Sequence, residues 1–276
     1  MRLGAPVYGD VSDPDKWIAL VQAAGFSAAY CPLATPDEDL ARAFAAAAAA
    51  ADVVIAEVGA WSNPISPDEQ QRQAALQKCA EKLAIADLIG ARCVVNVAGS
   101  RSAERSQDPR NLDADTFDLI VQTVRSIIDD AKPQRTFYTL ETDPWGFPNT
   151  PDSYLELIQA IDRERFAVHL DPVNLVWSPP IHYRNTRLIE ECFAKLGPYI
   201  KSCHAKDTFL ESKSTAHLAE VRPGLGFLDY RTLLRELDRL EPDTPLMIEH
   251  LPNAEEYALA AQHIRDVARD VGVAIR

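Results

Sequence analysis

Short apolar runs alternate with longer segments of helical periodicity along the whole chain. Each run is rich in Val, Ile, Leu, Phe or Tyr and is followed by a turn, which is typical of buried strands in a parallel sheet. The pattern therefore predicts a repeated βα unit. The predicted strands end near Pro6, Cys31, Glu57, Asn96, Glu141, Asp171, His204 and Glu249.

Helical signals fill the segments between these strands. Apolar residues recur at i, i+3, i+4 and i+7 within residues 117–128, and the same spacing appears within 76–86 and 233–240. A capping side chain followed by proline predicts the start of a helix, because proline is tolerated at the first helical position. Such pairs occur at Asp13-Pro14, Thr35-Pro36, Ser66-Pro67 and Thr150-Pro151.

Eight βα units predict a closed (βα)8 TIM barrel, a single α/β domain over residues 1–276. The alternative is an open doubly wound sheet, which usually has a glycine-rich phosphate loop after its first strand. Gly4 and Gly9 near the first strand do not match that fingerprint. The longest segments without clear periodicity, about residues 97–112 and 205–228, are expected to be irregular βα loops on the catalytic face.

Composition narrows the class of function. The chain of 276 residues has a formal net charge of −13, which argues against nucleic-acid binding because phosphates need clustered Lys and Arg. No apolar run approaches the length of a membrane span, and the first residues do not resemble a signal peptide. Five cysteines without CxxC spacing favour a reduced compartment, so we expect a cytoplasmic protein.

Four of the predicted strands end in residues that commonly bind metals: Glu141, Asp171, His204 and Glu249. Each alone has an ordinary explanation, such as an ion pair, a turn or a helix cap. In one barrel, however, all four would meet at the carboxyl ends of the strands. Three carboxylates and one imidazole suit a divalent cation, with Mn²⁺ as the first expectation and Mg²⁺, Co²⁺ or Zn²⁺ as alternatives.

Several of these segments resemble a known family. They are "LET" at 140–142, "VHLDPVN" at 168–174, "KSCHAKD" at 201–207, "VRPGLGFLDY" at 221–230 and "PLMIEHL" at 245–251. Over nearly its whole length the chain resembles the xylose-isomerase-like TIM-barrel superfamily, often described as sugar phosphate isomerases/epimerases. The resemblance implies that Glu141, Asp171, His204 and Glu249 hold the metal. It also implies that Glu141 and Glu249 act as the catalytic acid and base.

The chain departs from individual members of that superfamily. Tagatose and psicose epimerases usually have His three residues after the metal-binding Asp, whereas this chain has Asn174, a poor proton carrier. Endonuclease IV shares the fold but has additional His ligands and a DNA-binding face. The net charge of −13 and the six histidines of this chain count against that activity.

Six residues near the strand ends are candidates for binding the substrate, and each has a structural alternative. Lys206 and Arg222 would otherwise be surface cations, and the other four would otherwise pack or cap loops. The six are Asn96, Asn174, Lys206, Arg222, Trp61 and Trp145.

These features predict a metal-dependent isomerase or epimerase that acts on a ketose or keto-polyol through a metal-stabilised enediolate. A lyase or dehydratase acting on a keto-sugar, 3-keto-glycoside or keto-inositol is the alternative, because the same carbanion can expel a leaving group. A non-catalytic sugar-binding barrel is an alternative of another class. The expected partner is a small carbohydrate, and a homo-oligomer is compatible with the sequence.

Overall fold

The eight predicted strands form a closed barrel in the computed structural model, which describes residues 1–104 and 107–276. The barrel strands are β1 (Arg2–Gly4), β2 (Ala28–Tyr30), β3 (Val54–Gly59), β4 (Cys93–Asn96), β5 (Phe137–Glu141), β6 (Phe166–Leu170), β7 (Ile200–Ala205) and β10 (Pro245–Ile248), while β8 (Asp207–Glu211) and β9 (His217–Val221) lie outside the barrel. Every pair of neighbouring barrel strands is parallel, and the order around the barrel is β1-β10-β7-β6-β5-β4-β3-β2. The prediction of a TIM barrel is confirmed.

Helices follow the strands and form the outer layer. Within the described residues, none is long and apolar enough to cross a bilayer. The helices are α1 (Pro14–Ala23), α2 (Glu38–Ala50), α3 (Glu69–Ile89), α4 (Ala114–Ala131), α5 (Pro151–Ile161), α6 (Pro179–His182), α7 (Asn185–Leu196), α8 (Tyr230–Asp238) and α9 (Ala254–Val271).

Two of the four predicted helix starts are confirmed, and two are shifted. Asp13 caps α1, and Thr150 caps α5 in a reciprocal capping box with Ser153. In contrast, α2 and α3 begin two residues later than their Thr-Pro and Ser-Pro pairs predict, because Asp37 and Asp68 provide the caps. Each of these carboxylates accepts a hydrogen bond from the backbone N–H three residues further along the chain.

The core lies between the barrel and the helices and is almost continuous around the ring. Tyr154 of α5 shows how the two layers are joined. Its ring is fully buried, and its hydroxyl donates to the carbonyls of Leu140 on β5 and Ala167 on β6. The apolar ring thus fills the core while the polar end satisfies backbone groups of two adjacent strands, which aligns the ends that carry Glu141 and Asp171.

Residues 205–228 were expected to be irregular, and that expectation is wrong for residues 207–221. β8 (Asp207–Glu211) and β9 (His217–Val221) form an antiparallel hairpin outside the barrel. Asp207 holds the hairpin to the following loop, because its carboxylate accepts hydrogen bonds from the backbone N–H groups of Gly224, Gly226 and Leu228. A side chain at position 226 would collide with that carboxylate. Exposed polar residues hide the strand pattern in the sequence.

We predict that Leu157→Ala lowers the free energy of unfolding by about 2–5 kcal/mol, because the Leu157 side chain of α5 is fully buried and its removal leaves a cavity. Leu259→Ala on α9 is the matched control, since 44% of Leu259 is exposed, and it should change stability by less than about 1 kcal/mol. Urea denaturation followed by circular dichroism measures both values. Equal losses for the two variants would contradict the assignment of the core.

Candidate metal centre

The four residues proposed as metal ligands converge at the carboxyl end of the barrel. Glu141 ends β5, Asp171 follows β6, His204 lies on β7 and Glu249 follows β10. These four strands are consecutive neighbours in the barrel. One ligand atom from each residue lies within 4.8 Å of the corresponding atoms of the other three. The barrel thus brings together residues that are up to 108 positions apart in the chain.

The imidazole of His204 is the centre of this cluster. Its Nδ1 atom lies 2.8 Å from Glu249 Oε1, 3.0 Å from Glu141 Oε1 and 3.9 Å from Asp171 Oδ2. Ligand atoms that surround one cation at roughly 2.0–2.3 Å are about 3 Å from one another when they occupy adjacent positions. The spacing of the four atoms therefore fits shared coordination of a single ion.

The hydrogen bonding of two buried carboxylate oxygens tests whether these residues suit a metal ion. Asp171 Oδ1 accepts a hydrogen bond from the backbone N–H of Val173, but Asp171 Oδ2 and Glu249 Oε1 are buried without a well-directed hydrogen bond. Buried carboxylate oxygens are normally satisfied by a donor or by a metal. Both oxygens face the cluster, where the Lys206 ammonium is their close cationic contact, and a set of buried carboxylate oxygens with one imidazole fits a hard divalent cation.

Glu57 on β3 is a part of the site that the sequence analysis did not assign. It is 2% exposed, and its Oε1 lies 3.1 Å from His204 Nε2, while Ser202 Oγ donates to its Oε2 at 2.7 Å. Because a carboxylate can only accept, Nε2 of His204 must carry hydrogen, so Nδ1 is the ring atom that can bind a metal once it has lost its own proton. A glutamate in the middle of a buried strand was the signal that could have identified it.

A second histidine packs behind this pair. The ring of His169 contacts that of His204 edge-on with centroids 4.0 Å apart, and its Nδ1 lies 3.4 Å from Glu57 Oε2. Burial, reinforced by the neighbouring His204, lowers the pKa of His169 to about 3. His169 is therefore neutral and fixes the orientation of the His204 ring by contact.

Lys206 enters the cluster from the residue after β7. Its side chain is 2% exposed, and Nζ lies 2.8 Å from Asp171 Oδ2 and 2.5 Å from Glu249 Oε1. Although burial disfavours its charge, the carboxylates of Asp171, Glu141 and Glu249 raise its pKa above the usual value. The ammonium therefore offsets part of the negative charge of the cluster.

The β8–β9 hairpin brings one further carboxylate close to the cluster. This is Glu220, which contacts His250. Nδ1 of His250 lies 3.0 Å from Glu220 Oε1, and Nε2 lies 3.6 Å from Glu249 Oε2. His250 has a positive φ of 58°, a conformation that non-glycine residues seldom adopt. β10 has already ended at Ile248, so the alternation of a strand does not apply to His250, which faces the cavity rather than away from it.

The two glutamates of the cluster differ in proton affinity. Burial raises the pKa of Glu141 to about 6, although a hydrogen bond with His204 opposes the shift. Burial acts in the same direction on Glu249, but the charges of His204 and Lys206 outweigh it and hold the pKa of Glu249 below its ordinary value. Carboxylates with separated pKa values are the usual arrangement for one acid and one base.

A cavity of about 710 Å³ opens beside the cluster. Glu57, Glu141, Glu249 and His250 line it, whereas Asp171 and His204 are fully buried behind the glutamates. The volume lies in the range of about 300–1,000 Å³ that is typical of small-molecule sites. A ligand in the cavity would therefore meet the two glutamates directly.

The structure brings two of the six predicted substrate residues to this site. Trp61 lines the cavity and Lys206 contacts the cluster. Trp145 instead lines a separate pocket of about 290 Å³, and Arg222 pairs with Glu256 of α9 at 2.8 Å. For these residues the substrate-binding roles stay predictions.

The two predicted asparagines are engaged by the protein itself. Asn174 donates from Nδ2 to the carbonyl of Thr142 at 3.0 Å, which supports the turn that carries Asp171. Asn96 is fully buried and hydrogen-bonds to Ser62 and Tyr138. The sequence cannot distinguish an amide that faces a ligand from one that fastens a turn. Their roles toward a substrate also stay predictions.

Comparison with known proteins identifies the family of this chain. The profile of the xylose isomerase-like TIM barrel family matches residues 18–267. The chain belongs to this family. No curated protein sequence matches it significantly.

Solved structures of proteins with different names and activities have the same fold as this chain. D-psicose 3-epimerase from Clostridium cellulolyticum, solved with D-tagatose, has a TM-score of 0.69 and 15% identity, covering 99% of this chain and 100% of that one. Endonuclease IV from Thermus thermophilus has a TM-score of 0.71 and 16% identity, covering 98% and 100%. A xylose isomerase-like TIM barrel protein from Mycobacterium smegmatis in complex with magnesium has a TM-score of 0.67 and 19% identity, covering 98% and 97%. At these identities the similarity shows the fold alone.

We predict that Glu57→Gln weakens Mn²⁺ binding by about 10–100-fold, because a neutral amide holds the His204 ring less firmly in the ligating orientation. Isothermal titration calorimetry of metal-stripped protein measures the affinity. Glu156→Gln on the exposed face of α5 is the control and should bind like the unchanged protein. An unaltered affinity in Glu57→Gln would show that Glu57 does not support the site.

Metal binding at pH 7 should release about one proton from His204. Burial alone would lower the pKa of His204, but Glu57 and Glu249 raise it well above its ordinary value, so the ring of the metal-free protein is protonated at pH 7. A metal needs the neutral ring, so affinity should rise with pH up to the pKa of His204 in the folded protein. Calorimetry in buffers with different ionisation enthalpies counts the protons, and identical heats in all buffers would contradict the prediction.

Proposed function

We propose that this protein is a divalent-metal-dependent sugar isomerase or epimerase that acts on a ketose or keto-polyol. The observation that carries the proposal is that Glu141 and Glu249 line the cavity and belong to the cluster that fits a metal. Each glutamate has two oxygens, so one can serve the metal while the other exchanges a proton with the substrate. The sugar epimerase with the same fold supports the substrate class.

The residues that would hold the ion are Glu141, Asp171, His204 and Glu249, with Mn²⁺ as the first expectation among Mn²⁺, Mg²⁺, Co²⁺ and Zn²⁺. When bound, such a cation supplies polarisation of the substrate carbonyl and stabilisation of the enediolate. The relative solved in complex with magnesium supports a hard divalent ion as the metal.

The protein's own groups would manage the proton. Glu249 would act as the base and remove the proton from the carbon next to the carbonyl, because it lines the cavity and has a second oxygen besides the one that serves the metal. Glu141, which also lines the cavity, would return a proton to the intermediate. If the proton returns to the same carbon from the other side the product is an epimer, and return to the neighbouring carbon gives an isomer. Lys206 keeps the carboxylates close together by offsetting their repulsion.

The proposal is tested by deuterium exchange in D₂O with Mn²⁺ and a panel of ketoses, inososes and 3-keto-glycosides. We expect deuterium next to the carbonyl and a product with the same composition as the substrate. A product that has lost water would instead identify a dehydratase, which acts through the same carbanion. Binding without any exchange would identify a non-catalytic sugar-binding barrel, and nicking of abasic DNA would indicate an endonuclease.

Glu249→Gln should lower turnover by about 10²–10⁴-fold while retaining some metal, because an amide cannot accept the proton. Deuterium exchange gives the rate, and plasma emission spectroscopy gives the metal content. Glu255→Gln, an exposed position on α9, is the control and should leave the rate unchanged. Near-normal turnover in Glu249→Gln would remove the proposed base.

Asp171→Ala should abolish metal binding, because its fully buried carboxylate has no replacement among the cluster oxygens. The metal content of the purified variant after dialysis against Mn²⁺ is the measurement. Circular dichroism confirms that the variant has folded. A stoichiometric metal content in the folded variant would exclude Asp171 from the centre.

A further inference from the structure

The cavity beside the cluster has two chemically different ends. Glu141 and Glu249 form the polar end, where the metal cluster lies. Another part of the cavity wall is built by the loops that follow β1, β2 and β3, and the residues of these loops that line the cavity carry no charge. We call it the apolar wall, and its residues are Pro6, Val7, Val11, Pro32 and Trp61.

The apolar wall offers few hydrogen bonds to a ligand. Three polar groups lie in or near it: the indole N–H of Trp61 and the hydroxyls of Tyr30 and Tyr257. The Tyr30 hydroxyl is 3.5 Å from the carbonyl of Ile248, and the Tyr257 hydroxyl accepts from the N–H of Leu251, so each has little more than one hydrogen bond left to offer a ligand. A free ketose has a hydroxyl on nearly every carbon, and several of these would lose water against this wall without a new partner. The wall therefore suits a part of the substrate that carries no hydroxyls.

The charge of the cavity excludes an anionic group from the same place. Within the described part of the chain, the residues that line the cavity include no Lys or Arg. Lys206 lies close by but is held by Asp171 and Glu249, and His250 pairs with Glu220. A phosphate would face the carboxylates of the cavity without a cation of its own, which is unfavourable in a partly buried site.

We propose that the substrate is a glycosylated keto-polyol rather than a free ketose: an uncharged keto-glycoside with an apolar aglycone, which lies on the apolar wall. This inference rests on the proposed function for the position of the keto group, which would lie at Glu141 and Glu249. A glycoside linked through its anomeric carbon carries its keto group elsewhere on the ring, so both ends of the cavity are filled by one molecule. The volume of about 710 Å³ accommodates a sugar ring together with a ring-shaped aglycone.

Binding of two matched probes tests the proposal. Phenyl and methyl 3-keto-β-D-glucopyranoside differ only in the aglycone. Stopped-flow tryptophan fluorescence, to which Trp61 in the wall contributes, measures their binding within milliseconds, before turnover. The Mn²⁺-loaded protein should bind the phenyl compound about 10–100-fold more tightly, as expected for burial of one aromatic ring. Equal affinities, or no measurable binding of either compound, would overturn the proposal.

A double variant locates the effect. Val7→Thr with Val11→Thr keeps the shape of the wall but adds two hydroxyls, so the preference for phenyl should fall at least about fivefold while binding of the methyl compound is retained. Val273→Thr, near the end of the chain, is the control and should keep the full preference. A preference that survives in the folded double variant would place the aglycone elsewhere and overturn the proposal.

A phosphorylated probe tests the charge argument. D-fructose 6-phosphate should bind no more tightly than D-fructose, and clearly tighter binding of the phosphate would overturn the proposal. The outcomes also separate this inference from the proposed function. A phenyl preference without any deuterium exchange would remove the proposed reaction and keep the aglycone site, whereas deuterium exchange without a phenyl preference would do the reverse.

Discussion

The site depends on holding like charges close together in a buried position. Glu141, Asp171 and Glu249 point toward one atom of His204, and Glu57 lies on the other side of the same ring. Two unit charges 4 Å apart repel by about 4 kcal/mol even at an effective dielectric constant of 20. Such an arrangement persists only if cations offset it, and in the metal-free protein Lys206 and the protonated ring of His204 face four carboxylates. A divalent ion is the natural complement, and the barrel provides the rigid frame that enforces the geometry.

The rigidity comes from the packing around the strand ends. Tyr154 ties β5 to β6, the Asp171 turn is fastened by Asn174, and Glu57 and His169 fix the His204 ring. These groups lie behind the ligand atoms, and they determine where those atoms lie. Positions held by several contacts lose little entropy when a metal binds, and this favours tight and selective coordination.

The sequence predicts the barrel well because the signal is repeated eight times, so an error in one unit hardly affects the topology. The four cluster residues were also predictable, since each ends a separate apolar run. Glu57 was not assigned a role, because a lone buried carboxylate reveals its function only when its partner across the barrel is known. The β8–β9 hairpin and the orientation of His250 depend on tertiary contacts with Asp207 and Glu220, which local patterns do not contain.

The position of a bound metal tests the account most directly. Anomalous diffraction at the manganese absorption edge, from a crystal grown with Mn²⁺, should show one strong peak about 2.0–2.3 Å from Glu141, Asp171, His204 and Glu249. Lys206 should remain beside the carboxylates without coordinating the ion. A crystal with no peak at this cluster, or with the peak at a different set of residues, would contradict the central claim.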